Sequence, residues 1–297
     1  MTGTAGGVFR NLAFEGGGVR GVAYAGALKA LERRGLLEGV RGLAGTSAGA
    51  FAALLLSLGY GPDGLADALR SLHFKALEDS PNPLRVATHY GLYKGDVLRD
   101  WIAAQVTGAG LPETLTFAEL ESVGARDLRV FATDLNICNT REFSAAKTPD
   151  TSVVGAVRAS MSIPLMYAAW QFPDGKPDNH VYVDGGTVYN YPIEAFDGVD
   201  GALAATLGFC FASQGNAGRA NALGTGHFLD YARSLFAAVM SAQTIDFDQN
   251  PAQRRRSVMI DDLGYRATDL SLSGQDFDRL YASGEKAVED YLAVSGI

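Results

Sequence analysis

The chain has 297 residues, with 25 Lys and Arg against 33 Asp and Glu, a formal net charge of −8. A hydrophobic fraction of 47% beside 20% charged residues is the balance of a globular chain with a sizeable core, which excludes intrinsic disorder, and the acidic excess argues against a nucleic-acid partner. Two distant cysteines, Cys138 and Cys210, exclude a disulfide framework and a thiolate zinc site. No apolar run reaches signal-peptide or membrane-spanning length, so the expectation is a cytoplasmic protein whose contact with a membrane is at most peripheral and rests on apolar area.

Asn11 to Phe14 reads as a short apolar strand that runs into Glu15-Gly-Gly-Gly-Val-Arg-Gly21. From Val22 the apolar spacing turns helical, and Gly35 is a stop. A second strand, about Val40 to Ala44, meets Gly45-Thr-Ser-Ala-Gly49, and a helix with almost no polar face follows from Ala50 to Leu58. Two strand–glycine turn–helix units in succession predict a parallel sheet with right-handed crossovers. Residues 60–125 read as helical and interrupted by Pro62, Pro81, Pro83 and Pro112, an insertion expected to cap a site. Strands are expected at Arg129–Asp134, Arg141–Ser144 and Val181–Val183, a short helix at Val153–Ala159, and a central buried strand within Ala202–Phe211. Asp276 to Leu292 closes the chain as a helix capped by Ser273. No linker separates two units, so residues 1–297 are expected to form one doubly wound α/β domain. Glycine is the outlier of the composition, 36 of 297 residues against a usual share of about 7%. Its clusters sit where strands hand over to helices, which is where α/β enzymes build their sites.

The first glycine cluster has three readings. Gly16-x-Gly18-x-x-Gly21 matches the dinucleotide-binding fingerprint, which also needs an acid about 20 residues on to hold the ribose; the residue there is Arg41. The glycines also serve as a plain tight turn. Thirdly, they leave backbone N–H groups bare at a helix N-terminus, which suits a developing oxyanion.

Gly45-Thr-Ser47-Ala-Gly49 fits the G-x-S-x-G nucleophile elbow, in which a strained strand-to-helix turn exposes the serine and side chains are excluded on either side. One crossover unit separates it from the first cluster, so both turns should emerge at the same sheet edge. A serine needs a base. His73, His89 and His227 lie away from strand ends, and His180 is four residues, roughly 13 Å along a strand, from Asp184. Asp184 stands at the carboxyl end of a strand, before Gly185-Gly186. It reads either as a surface turn or as a carboxylate that accepts the Ser47 proton, a task that partial desolvation would assist by raising its pKa.

Together these residues resemble the patatin-like phospholipase family. Its Gly-Gly-Gly-x-Arg/Lys-Gly loop, Gly-x-Ser-x-Gly elbow and Asp-Gly-Gly/Ala turn stand here, in order, as Gly16–Gly21, Gly45–Gly49 and Asp184–Gly186. Ala159-Ser-Met-Ser-Ile-Pro164, Asn190-Tyr-Pro-Ile193 and Thr133-Asp-Leu135 add to the likeness, which runs from Phe9 to the C-terminal helix; Ser162 departs from a common Ala. The resemblance implies a three-layer α/β/α fold and hydrolysis of a lipid or acyl ester by a Ser47–Asp184 dyad without histidine. Gly17 and Gly18, with Gly16, would supply oxyanion donors, and Arg20 would steady that loop or add positive charge. No metal or organic cofactor is implied. A nucleotide-binding oxidoreductase holding NAD(P), an acyltransferase and a partner-activated relative are the alternatives.

Other features are set aside. Asp246-Phe-Asp248-Gln-Asn250 opens like a calcium loop but has Pro251 and Ser257 where Gly and Glu are needed. Arg254–Arg256 reads as a solvated turn, and Ser160 is expected to be structural. Phe74, Leu84, Tyr90, Leu92, Tyr93 and Trp101 read as an acyl groove, a membrane-facing rim or core packing.

Overall fold

Strands of three to eight residues, most of them apolar, assemble one mainly parallel sheet in the computed structural model, which describes residues 9–199, 201, 205–212, 228–243 and 247–297. The strands are β1 (Asn11–Phe14), β2 (Gly42–Thr46), β3 (Gly91–Tyr93), β4 (Asp127–Asp134), β5 (Asn139–Phe143), β6 (Leu165–Tyr167), β7 (Tyr182–Asp184), β8 (Thr206–Ala212) and β9 (Ser257–Asp261). The sheet runs β5-β4-β2-β1-β8-β9, with β7 also on β4, while β3 and β6 pair separately. β1, β2, β4, β8 and β9 are parallel; β5 and β7 run antiparallel to β4. The apolar run ending at Phe211 does sit centrally, as β8 between β1 and β9; residues 202–204 of that run lie outside the described ones. β9 carries no expectation from the sequence: only five residues long, it directly follows an arginine run and leaves Met259 exposed, so its apolar signal is weak.

The helices are α1 (Val22–Arg33), α2 (Ala48–Ser57), α3 (Pro62–Ser71), α4 (Pro83–His89), α5 (Asp96–Gly108), α6 (Phe117–Ser122), α7 (Val153–Ser160), α8 (Phe228–Ser241), α9 (Pro251–Arg255) and α10 (Gly274–Ser295). They flank the sheet. α2 has no polar stripe and is buried along nearly its whole length. Phe51, Leu54, Leu55 and Leu56 each contribute roughly 1.5–3 kcal/mol of burial. Side-chain caps fix the start of three helices: Ser273 and Asp276 form a capping box on α10, Thr116 and Glu119 one on α6, and Ser152 caps α7.

One detail of topology positions the site. β5 occupies one edge of β4 along Val130–Asp134, so β7, paired with Ala132–Asp134, takes the opposite edge, the one β2 holds lower down. β2 ends at Thr46 opposite Phe131, and β7 ends at Asp184 opposite Ala132. The two strands therefore approach end to end along the same edge, and the residues just past their ends meet.

Candidate active site

Ser47 is the N-cap of α2 and has φ +53° and ψ −123°, a region that non-glycine residues rarely occupy and that costs on the order of 1–3 kcal/mol. The turn is tight because the helix crosses under the neighbouring strand: a Cβ on Gly49 would stand 2.4 Å from the Phe14 carbonyl oxygen. The Ser47 N–H donates to Ser160 Oγ at 2.8 Å, and Ser160 in turn donates to the Phe131 carbonyl. Ser160 is thus structural, as expected, and holds the elbow to α7 and β4.

Ser47 Oγ donates to Asp184 Oδ2 at 2.7 Å. Asp184 Oδ1 accepts the Gly186 N–H at 2.8 Å, and the Asp184 N–H donates to the Ser162 carbonyl at 2.8 Å. The carboxyl is fully buried, and desolvation pushes its pKa up to about 7 against the opposing pull of the Ser47 hydroxyl and the Gly186 N–H. So Asp184-Gly-Gly is a buried turn and not a surface one. No histidine bonds Ser47 among the described residues. His180 Nδ1 lies 2.8 Å from Asp134 Oδ2, His89 pairs with Thr88, His73 precedes a 3-10 turn at Phe74–Leu77, and His227 lies outside the described residues.

The glycine loop divides its amides. The Gly16 N–H donates to the Asn190 carbonyl at 2.9 Å, so in this conformation it is not free for a substrate oxygen. The Gly17 and Gly18 N–H groups have no partner among the described residues. Gly18 has φ +54°, and a Cβ there would strike the Ala267 carbonyl at 1.9 Å, so only glycine fits. Arg20 steadies the loop: its Nε donates to the Gly17 carbonyl at 3.2 Å, a second nitrogen reaches Asp262, and its guanidinium lies over Phe211.

Four further residues escaped sequence reasoning. Glu15 accepts from Asn190 Nδ2 and the Phe211 N–H, and burial raises its carboxyl to about 7 despite nearby Arg20. Asn190 also donates to the Gly16 carbonyl, and Gln243 joins the Asn190 N–H to the Gly186 carbonyl. The motif spacing around Asn190 was visible but not its partners. Arg158, only 1% exposed, reaches Gly95, Lys94 and Ala168 carbonyls and Ser162 Oγ. A lone arginine in an otherwise apolar helix was the available signal. It also explains Ser162, whose hydroxyl is Arg158's partner.

A cavity of about 60 Å³ opens beside Ser47. Its walls are almost entirely apolar: Phe51 from α2, Leu65 and Leu69 from α3, Phe74 and Leu77 from the 3-10 turn, and Trp101 from α5. Trp101 stacks on Phe51 with ring centroids 4.0 Å apart. Of the 60–125 stretch, the lining residues run from Leu65 to Trp101; Phe117 and Leu120 face another cavity beside Arg41 and Ala145. Tyr93 is buried, whereas Leu84 and Tyr90 are exposed. Arg254 pairs with Asp248, and Arg256 is buried on Asp197, so the arginine run is not a free basic patch; Asp246 lies outside the described residues. Asp134, Asp178 and His180 bring ligand-type atoms within 4.8 Å of one another. Those atoms already bond the Asn136 N–H, the Tyr182 hydroxyl and Arg141. No helix among the described residues is long and apolar enough to cross a membrane.

Known proteins resemble this chain to different depths. Uncharacterized protein R571 of Acanthamoeba polyphaga mimivirus is 28% identical over 293 residues, covering 95% of this chain and 93% of its own. Probable lipid hydrolase 463L of Invertebrate iridescent virus 6 is 24% identical over 192 residues, 63% of this chain and 62% of its own, so less than two thirds of that protein is spanned. VipD from Legionella pneumophila superimposes with a TM-score of 0.69 at 15% identity, over 97% of this chain and 67% of its own, a likeness of fold. The family model described as patatin-like phospholipase matches residues 12–197, and that match covers the loop, the elbow and the Asp184 turn. The chain belongs to the patatin-like phospholipase family.

Proposed function

We propose that the protein is a serine hydrolase that cleaves carboxylic ester bonds of lipids or acyl esters, with Ser47 as nucleophile and Asp184 as its base. The observation that carries this is the 2.7 Å hydrogen bond from Ser47 Oγ to a buried carboxylate whose pKa burial lifts to about 7. At that value Asp184 is a far better proton acceptor than an exposed carboxylate, and it is still ionised in part at neutral pH.

The protons balance without histidine. Ser47 Oγ passes its proton to Asp184 Oδ2 as it attacks the ester carbonyl carbon, and the carbonyl oxygen becomes an oxyanion facing the free Gly17 and Gly18 N–H groups. Collapse breaks the bond to the leaving alcohol, which takes the proton back from Asp184. The acyl group remains esterified to Ser47. Water then gives a proton to Asp184, attacks the same carbon and releases the acid, and the proton returns to Ser47. The N-terminus of α2, which the strained backbone of Ser47 begins, favours the negatively charging oxygen.

The cavity sets the acyl preference. At about 60 Å³ it is well below the roughly 150 Å³ that admits a benzene ring, so a short acyl group fits and a long chain requires the cap at Leu65–Trp101 to move. The nucleotide reading loses support because β2 ends at Thr46 and runs into Ser47, with no ribose carboxylate, and the Gly16 amide is already taken.

The test is hydrolysis of p-nitrophenyl esters of increasing chain length, and of a phospholipid, by the wild type and Ser47→Ala. Ser47-dependent turnover that falls with chain length is expected. Turnover surviving in Ser47→Ala would sink the mechanism.

A further inference from the structure

After β7 the chain leaves the sheet through a 3-10 turn at Gly185–Thr187, so the backbone groups that follow need partners from outside the strand ladder. Two of them on buried residues, the Gly186 carbonyl and the Asn190 N–H, find the same side chain. Gln243 Nε2 donates to the first at 2.6 Å, and Gln243 Oε1 accepts from the second at 2.9 Å. Neither group has another partner among the described residues. Gln243 Nε2 also donates to the Val239 carbonyl of α8 at 3.3 Å. Two carbonyls facing the nitrogen and an N–H facing the oxygen leave the amide one orientation.

The two groups that Gln243 joins belong to different halves of the chemistry. On one side, the Gly186 N–H donates to Asp184 Oδ1 at 2.8 Å, which aims the other carboxyl oxygen at Ser47. On the other side, Asn190 grips the glycine loop three times. Its carbonyl accepts the Gly16 N–H at 2.9 Å, and its Nδ2 donates to the Gly16 carbonyl at 3.3 Å and to Glu15 Oε1 at 2.9 Å. The free amides of Gly17 and Gly18 follow directly. A single side chain thus closes a run of hydrogen bonds from the loop, through Asn190 and Gly186, to Asp184. Both its anchors come from one helix: Gln243 lies just past the end of α8, and the Phe236 ring of α8 stands 3.4 Å from where a Cβ on Gly186 would be.

We infer that Gln243 is a positioning residue, one that keeps the oxyanion amides in register with the Ser47–Asp184 pair and makes the placement of α8 a condition of turnover. This rests on the ester-hydrolase reading. Gln243 itself touches neither nucleophile nor base. Groups that must act in one transition state lose rate when their mutual placement drifts, and the substrate's binding is less affected.

The test uses Gln243→Met, which keeps the length of the side chain and removes both bonds, and Gln243→Asn, which stays polar but is one methylene too short to span both groups. Each is assayed on p-nitrophenyl butyrate beside the parent and Ser47→Ala, and amide exchange is followed by NMR in the 15N-labelled full chain. The expected kcat is about tenfold lower with KM within twofold of the parent. Exchange should be at least tenfold faster at Asn190 and also at Gly16, whose amide Gln243 does not touch, while Leu43 and Ala44 of β2 keep their protection and show that the fold is intact. A kcat within twofold of the parent, or an Asn190 amide that opens alone, overturns the inference. A parent without Ser47-dependent turnover, in which the substitutions still open Gly16 and Asn190 together, overturns the hydrolase reading and leaves the link between loop and turn standing.

Discussion

The floor and the roof of the Ser47 cavity are held by different forces. In the floor, from β2, β7 and α7, buried hydrogen bonds fix both chemical groups: Ser160 holds the Ser47 amide, the Ser162 carbonyl holds the Asp184 amide, and Gly49 lets α2 pass against Phe14. Such bonds lose their worth over a few tenths of an ångström, about the tolerance a catalytic pair requires. The roof, from α3 to α5, meets the cavity almost wholly through aliphatic and aromatic side chains. Dispersion contacts are non-directional and tolerate changes of size. On the proposed reading the difference separates two properties: the reaction is set by the floor, and the acyl group admitted is set by the roof. Arg158 ties them, with Ser162 on one side and the Lys94 and Gly95 carbonyls on the other.

The largest effect is expected in the floor. Asp184→Asn keeps the shape but removes the proposed base, and kcat/KM on a soluble ester should fall on the order of 10³-fold or more. Stability should move the other way. The folded pKa, about 7, lies above the unfolded value near 3.9, so the folded state holds its proton longer and loses stability as pH rises from about 4 to 7. Asp184→Asn should therefore be more stable than wild type at pH 8, by up to roughly 4 kcal/mol, and should lose that advantage at pH 4. Urea unfolding at the two pH values measures it; an equal difference at both would break the assignment.

Cutting the tie comes next. Arg158→Leu strands the Lys94 and Ala168 carbonyls and removes one of two partners from the Gly95 carbonyl and the Ser162 hydroxyl, so urea unfolding should show a loss of about 3 kcal/mol. Burial draws the guanidinium down to about 10, so it is still charged at neutral pH and a neutral replacement does not mimic it.

A roof change should alter selectivity without stopping the reaction. Trp101→Ala removes the ring stacked on Phe51 and should raise the ratio of octanoyl to butyryl ester kcat/KM about tenfold, with butyryl turnover retained within a few-fold. Equal losses on both esters would erase the distinction between floor and roof.

The smallest effect sharpens it. The kcat/KM profile should rise with pH through a midpoint near 7 as Asp184 ionises in the free enzyme. Glu15 titrates in the same window but touches only the glycine loop's supports. Glu15→Gln should lower the plateau a few-fold and leave the midpoint in place; a midpoint that moves would transfer the limb to Glu15.

Much of the floor was legible in the residues, because close backbone approach is written as glycine. Gly45, Gly49 and Gly18 mark places where no side chain fits, and they bracket the serine and the free amides. Asp184 was legible as a strand end. Its meeting with Ser47 was offered as one reading and implied by the family resemblance, but no local pattern carried it, since it depends on β7 running antiparallel into the line of β2, a long-range pairing that leaves no local periodicity. Arg158 was hidden for the same reason: its partners lie 63 or 64 residues away as well as within its own neighbourhood. In the roof, periodicity gave helices and prolines gave breaks, but the sorting of Trp101 to the cavity and Leu84 to the surface came only with packing.

The most direct measurement is the site and pH dependence of covalent labelling by a short alkyl fluorophosphonate, followed by intact mass and peptide mapping. A single adduct on Ser47, formed at a rate that climbs through about pH 7 and falls at least a hundredfold in Asp184→Asn, is the predicted result. An adduct on another residue, or labelling of Ser47 at an unchanged rate in Asp184→Asn, would contradict a serine activated by this carboxylate.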